Sequence, residues 1–167
     1  MPKKEPKQLD ELFHEGLKDI YFAEKKILVA LPKMKKAAQS EDLAAAFEKH
    51  FEETEGQVER LEQVFELIEE KPKGKNCPAI MGIIEEGEEI IKEYKGSPAL
   101  DAGLLSAAQA VEHYEISRYG TLKAWAKELG LSEAANLLDE TLKEEVKTDE
   151  TLSDIAETAI NQRAEAA

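Results

Sequence analysis

AAQAVEHYEISR, residues Ala107–Arg118, is the stretch from which the fold can be read. Ala107, Ala108 and Val111 recur at helical spacing and lead straight into Glu112 and Glu115. A carboxylate that continues an apolar stripe is carried inside with it, where an unpaired charge is expensive. The same exchange of an apolar residue for a polar one recurs on every long helical segment of the chain. That repetition predicts a helical bundle with a shared polar layer, and a polar layer of carboxylates points to metal.

Towards the N-terminus, Leu9, Leu12/Phe13, Leu17, Ile20/Tyr21, Ile27/Leu28, Leu31 and Met34 form the stripe of a first helix, on which Glu24 is the one polar residue. Pro32 falls inside this pattern and predicts a kink or a broken last turn, because it lacks an amide donor. Gln39–Asp42 reads as a short link, with Ser40 as N-cap and Glu41 and Asp42 favourable in the next first turn. A second helix follows through Leu43, Ala46/Phe47, Val58, Leu61, Val64/Phe65 and Ile68. Between Phe47 and Val58 the places due to apolar residues are held by His50, Glu53/Thr54 and Gln57, with Glu52, Glu55 and Glu59 on the outer side.

EKPKGKNCP (Glu70–Pro78) breaks the pattern. A shorter helix over 78–94 carries Ile80, Ile83/Ile84, Gly87, Ile90/Ile91 and Tyr94, a stripe that reads as core or interface, with Glu85, Glu86, Glu88 and Glu89 outside. Ser97–Pro98 reads as a cap followed by proline at the first helical position. The third long helix then runs through the opening stretch to Leu129, where Gly130 closes it and Ser132 can cap the next. The fourth carries Leu137/Leu138, Thr141/Leu142, Glu145, Thr148/Asp149, Leu152, Ile155/Ala156 and Ala159.

Short links make two antiparallel hairpins, and a single crossover of roughly thirty residues joins them. That is the connectivity of an all-α, ferritin-like four-helix bundle with an additional helix in its long crossover. The 167 residues are expected to form one such domain, frayed over 1–7 and about 161–167. Composition agrees: Ala, Glu, Lys and Leu dominate, with nine Gly and six Pro. A net charge of −14 argues against nucleic acid or anionic membranes as partners. The lone Cys77 rules out an intramolecular disulfide or a thiolate zinc site. With neither a signal-peptide pattern nor a membrane-length apolar run, a cytoplasmic location is expected.

Glu53 follows Glu24 by 29 residues, and Glu145 follows Glu115 by 30. At equal rise per residue, two hairpins of matched length bring these groups to one level. Gln57 and Asp149 lie one turn beyond Glu53 and Glu145 on the same faces. The expected layer is Glu24, Glu53, Glu115 and Glu145, with Glu112, His50, Gln57 and Asp149 adjacent. His50 is either a ligand or a hydrogen-bond partner to one. Carboxylates crowded in a dry core must protonate or be neutralised by cations. Oxygen-rich ligands favour Fe or Mn over Zn or Cu, and a bridged pair of ions suits the activation of O2 or peroxide. His113 is rotated off this face, and Tyr21 or Tyr114 could orient a ligand carboxylate.

HFEETEGQVERLE (His50–Glu62), QAVEHYEISRYGTL (Gln109–Leu122) and ETLKEEVKTDETL (Glu140–Leu152) resemble the ferritin-like stress proteins of the YciE/YciF family. DIYFAEKKI (Asp19–Ile27) and NCPAIMGIIEEG (Asn76–Gly87) extend the likeness over nearly the whole chain. The resemblance implies a rubrerythrin-like bundle with two metal ions per chain, a bacterial stress association and a homodimer. One departure is plain: ferritin-like di-iron sites use Glu-x-x-His on the second and fourth helices, whereas three residues after Glu53 stands Gly56 and three after Glu145 stands Thr148. The nearest substitutes are Gln57 and Asp149 four residues on, or His50 three residues before Glu53. An all-oxygen site would favour Mn(II) or ferric iron. The functions in view are therefore metal-dependent redox chemistry with Fe(II), O2 or peroxide, or a non-enzymatic bundle with a structural metal site.

Overall fold

The computed structural model describes residues 6–166, and the described chain is helical throughout its ordered elements. Helix α1 spans Leu9–Ala37, α2 Glu41–Leu67, α3 Pro78–Glu93, α4 Leu100–Glu128 and α5 Ser132–Ile155. A π-helical turn over Ala156–Ile160 leads into a short α6, Asn161–Glu165. The tail expected to fray after residue 160 is therefore helical to Glu165; the frayed ends expected at 1–5 and 167 lie outside the described residues.

The buried faces follow a common rhythm. Phe13, Leu17, Ile20, Glu24, Ile27, Leu31 and Met34 are buried on α1, and Phe47, His50, Thr54, Gln57, Leu61 and Val64 on α2. Leu138, Thr141, Glu145, Thr148 and Leu152 do the same on α5. Steps alternating between three and four residues keep one seam facing the partners, the spacing of a left-handed bundle. Around the ring, α1 packs on α2, α2 on α5, α5 on α4 and α4 on α1, with α3 laid against α4 and α1.

Cross-helix pairs give the directions. Tyr21 meets Glu62 and Lys35 meets Glu48, so α1 and α2 are antiparallel. Lys123–Asp139 and Gln109–Ser153 set α4 against α5 in the same way. The N-terminus of α4 lies beside the α1–α2 link, where the buried Asp101 carboxylate accepts from the Gln39 amide (2.8 Å) and the Ser40 amide (2.7 Å). Because α2 ends at the far end of the bundle, the chain must return its full length, about 40 Å at 1.5 Å per residue, to begin α4. The crossover makes that return. Its extended part is pinned to α1 by the Lys75 amide on the Lys18 carbonyl (3.0 Å), with Gly74 so close to Phe22 that a Cβ would lie 3.1 Å from the Phe22 Cβ.

Several local expectations shift. Pro32 is exposed and α1 continues through it to Ala37, since the missing donor falls on the solvent side. Ser40 caps α2 as expected. Ser97 does not cap α4; its hydroxyl accepts from the Ala99 amide in the turn before it, and the helix begins at Leu100. Gly130 takes the left-handed φ of 74° that ends α4, while Leu131, not Ser132, holds the N-cap position of α5.

Candidate metal centre

The polar layer forms where the seam positions of the four long helices meet. His50, Glu112, Glu115 and Glu145 each offer a ligand atom within 4.8 Å of the others, and all four are buried. His50 on α2 reaches across the diagonal of the bundle to α4, with its Nε2 3.2 Å from Glu112 Oε1 and 3.8 Å from Glu115 Oε2. These are approaches without hydrogen-bond geometry, for both His50 nitrogens lack a hydrogen-bond partner. The groups aim at a shared space rather than at one another.

Glu24, fully buried on α1, completes the cluster. Tyr119, one turn beyond Glu115 on α4, donates its hydroxyl to Glu24 Oε1. Burial, with the Glu145 charge adding to it, pushes the Glu24 carboxyl up to about 8. Desolvation likewise holds Glu112 and Glu115 well above the usual carboxylate range, again reinforced by Glu145. On the other side, Gln57 donates its amide to Glu145 Oε1, and to Glu144 Oε2 at 3.1 Å. Arg60 clamps Glu144 with Nη1 at 2.8 Å and Nη2 at 2.5 Å, so Glu144 is tied to a cation at the rim.

Even with these donors, Glu24 Oε2, Glu112 Oε2, both Glu115 oxygens and Glu145 Oε2 are buried without a hydrogen-bond partner. Orphaned buried polar atoms are rare in native proteins and call for an occupant. Carboxylate oxygens and one imidazole nitrogen, His50 Nε2, gathered in one buried cluster fit a cation or a pair of cations of hard or borderline type. The donor set therefore fits the metal that the sequence suggested. The imidazole that Glu-x-x-His would have supplied comes from His50, three residues before Glu53 instead of three after it, so the cluster is not all-oxygen.

Of the eight residues expected in this layer, six are brought together: Glu24, His50, Gln57, Glu112, Glu115 and Glu145. Glu53 and Asp149 are not. Glu53 sits at the rim with 24% of its side chain exposed, 3.0 Å from Lys49 and within 3.4 Å of the Thr148 hydroxyl. Asp149 faces Gln109 (3.2 Å) and His113 (3.1 Å) on the seam between α4 and α5. The inward places on α2 belong to His50, Thr54 and Gln57, whose 4-3 steps leave Glu53 on the flank. Tyr21 and Tyr114 do not orient the cluster: they donate to Glu62 (2.8 Å) and Asp19 (2.9 Å). That task falls to Tyr119, four residues after Glu115 and on the same face of α4.

The comparisons with known proteins bear on the whole of this assembly. A family described as a domain of unknown function, DUF892, matches residues 8–165. Protein YciF of Escherichia coli (strain K12) is 46% identical over 160 residues, which is 95% of this chain and 96% of that protein. The crystal structure of the E. coli stress protein YciF superposes with a TM-score of 0.89 at 45% identity, covering 93% of this chain and 99% of the other. YcfI from Rhodopseudomonas palustris, provisionally described as a structural protein, gives 0.85 at 45% identity over 92% and 98%. A protein from Xanthomonas campestris pv. campestris at 21% identity and a TM-score of 0.73, over 95% of this chain and 98% of the other, shares the fold. Among the described residues no helix is long and apolar enough to cross a membrane. With a matched span that takes in all the helices and the whole buried cluster, the chain belongs to the DUF892 family, alongside the stress protein YciF.

Proposed function

We propose that this protein is a dinuclear metal carboxylate bundle of the stress response, holding two Fe or Mn ions and carrying out redox chemistry with Fe(II), O2 or peroxide. The observation that carries the reading is the set of five unpaired carboxylate oxygens around His50. Glu24, His50, Glu112, Glu115 and Glu145 would hold the ions, and the bound metal would supply the one-electron chemistry that no side chain here provides. The chain's own groups do the rest. Tyr119 and Gln57 fix Glu24 and Glu145 in orientation, and Arg60 holds Glu144 at the rim. The closed packing of the bundle excludes water, which strengthens each electrostatic contact within.

The test is metal content per chain for protein produced with iron and with manganese, followed by Fe(II) oxidation in the same samples. Glu115→Ala and Glu145→Ala should lose metal, whereas Glu55→Ala, on the exposed face of α2, should match the unaltered protein. Removing groups that merely support ligands costs about 10–100-fold in metal affinity, so loss of a direct ligand should cost at least that. Metal contents that are equal across these variants would overturn the assignment. The second reading is a non-enzymatic bundle whose metal serves only folding; the description of the Rhodopseudomonas relative as a structural protein names no activity. Metal-loaded protein that turns over neither oxygen nor peroxide would decide for it.

A further inference from the structure

A cavity of about 30 Å³ lies between the crossover helix and the bundle, and its inner wall is the metal centre itself. Leu31 of α1, Phe47 of α2, Ile84 and Ile91 of α3, Val111 of α4 and Leu152 of α5 line it. At the inner end stand His50 and Glu112, both buried. Lys33 and Glu88, also in its wall, are half-exposed and joined across α1 and α3 by an ion pair of 2.8 Å, which marks the outer end. A solvated pair of this kind holds weakly and parts readily.

We propose that this cavity is the entry and holding site for dioxygen, and that α3 is present in part to build it. The proposal rests on reading the buried cluster as a metal centre, and it selects the oxidant. The volume exceeds the roughly 10–15 Å³ that one water needs, so a molecule of two heavy atoms fits. Along most of its length the wall offers nothing to hydrogen-bond, and a cavity of that kind stays dry and takes up small apolar molecules. Hydrogen peroxide, a double donor and acceptor, would shed its hydration to enter; dioxygen has none of that cost. The Ile stripe of α3 thus has a use beyond covering the bundle. Gly87 faces the same space, and a Cβ there would take up part of it at an ordinary contact of 3.5 Å with the Ala107 Cβ.

Paramagnetic broadening by dissolved oxygen tests this on metal-free protein, so the readout does not depend on activity. Methyl signals of Ile84, Val111 and Leu152 should broaden far more than those of Leu17, Leu61 and Leu138, which are at least as buried but lie elsewhere. Ala108→Val and the gentler Gly87→Ala, each filling the cavity, should abolish that excess. In metal-loaded protein the same variants should lower the ratio of oxygen-driven to peroxide-driven Fe(II) oxidation by at least about fivefold. Uniform broadening, or an equal fall with both oxidants, overturns the proposal. Selective broadening in a protein that binds no metal would instead sink the reading of the cluster, while metal binding without selective broadening sinks the cavity's role alone.

Discussion

Metal-free protein should lose stability as the pH rises from 5 to 8, against the usual behaviour of surface carboxylates. The sign follows from Glu24. Its carboxyl is raised from its ordinary value of 4.5 to about 8, so between those values the folded state holds a proton that the unfolded state releases. Stability then falls with rising pH, at about 1.4 kcal/mol per pH unit for each proton retained. From pH 5 to 8 Glu24 alone accounts for up to about 4 kcal/mol, a large share of the total stability of many domains, about 5–15 kcal/mol. Glu112 and Glu115 are raised as well and act in the same direction. Glu15 and Asp139, lowered to about 2 by their lysine partners, have the opposite sign, but they act below about pH 4.5 and leave this window clear. A bound cation replaces the retained protons and stabilises the state that binds it. The gap between metal-loaded and chelator-treated protein should therefore widen as the pH rises. Urea unfolding of both forms at four or five pH values provides the assay. Chelator-treated protein whose unfolding free energy is flat or rising from pH 5 to 8 would refute the reasoning, because burial would then not be holding these carboxyls protonated.

Tyr119→Phe removes the hydroxyl that donates to Glu24 and leaves that carboxyl buried without it. A loss of about 1–3 kcal/mol in chelator-treated protein is expected from denaturant unfolding, and an unchanged midpoint would show the hydroxyl to be dispensable. Asp101→Ala takes the acceptor from two amides at the α1–α2 link. It should cost about 1–3 kcal/mol and raise amide exchange at Gln39 and Ser40, so unaltered protection at those two residues would count against the role given to Asp101.

The sequence by itself determined the helices, their order and the ferritin-like connectivity, because hydrophobic periodicity is a local property and the two short links leave only hairpins. It also determined that α1, α4 and α5 bring carboxylates inside: Glu24 and Glu115 are flanked by apolar residues at both neighbouring turns, and Glu145 lies between Leu138 and Leu142 on one side and Leu152 two turns on, so their phase is set from both sides. On α2 that support fails. Between Phe47 and Val58 the only large apolar side chain is Phe51, which is half-buried and off the seam of His50, Thr54 and Gln57, and Glu53 sits only about 100° from Thr54 on the helix. Both phases satisfy the pattern, and the choice between them was made by α5, whose Glu145 accepts from the Gln57 amide inside the bundle while Thr148 meets Glu53 at the rim. Asp149 was misplaced for the same reason, one residue beyond the inward Thr148. Only the tertiary structure could decide that Tyr119, rather than Tyr21 or Tyr114, reaches a cluster carboxylate, or that Asp101 binds a turn some sixty residues away. These are contacts between helices remote in sequence, fixed by how the seams interlock, and no local pattern encodes the rotation of one helix against the next.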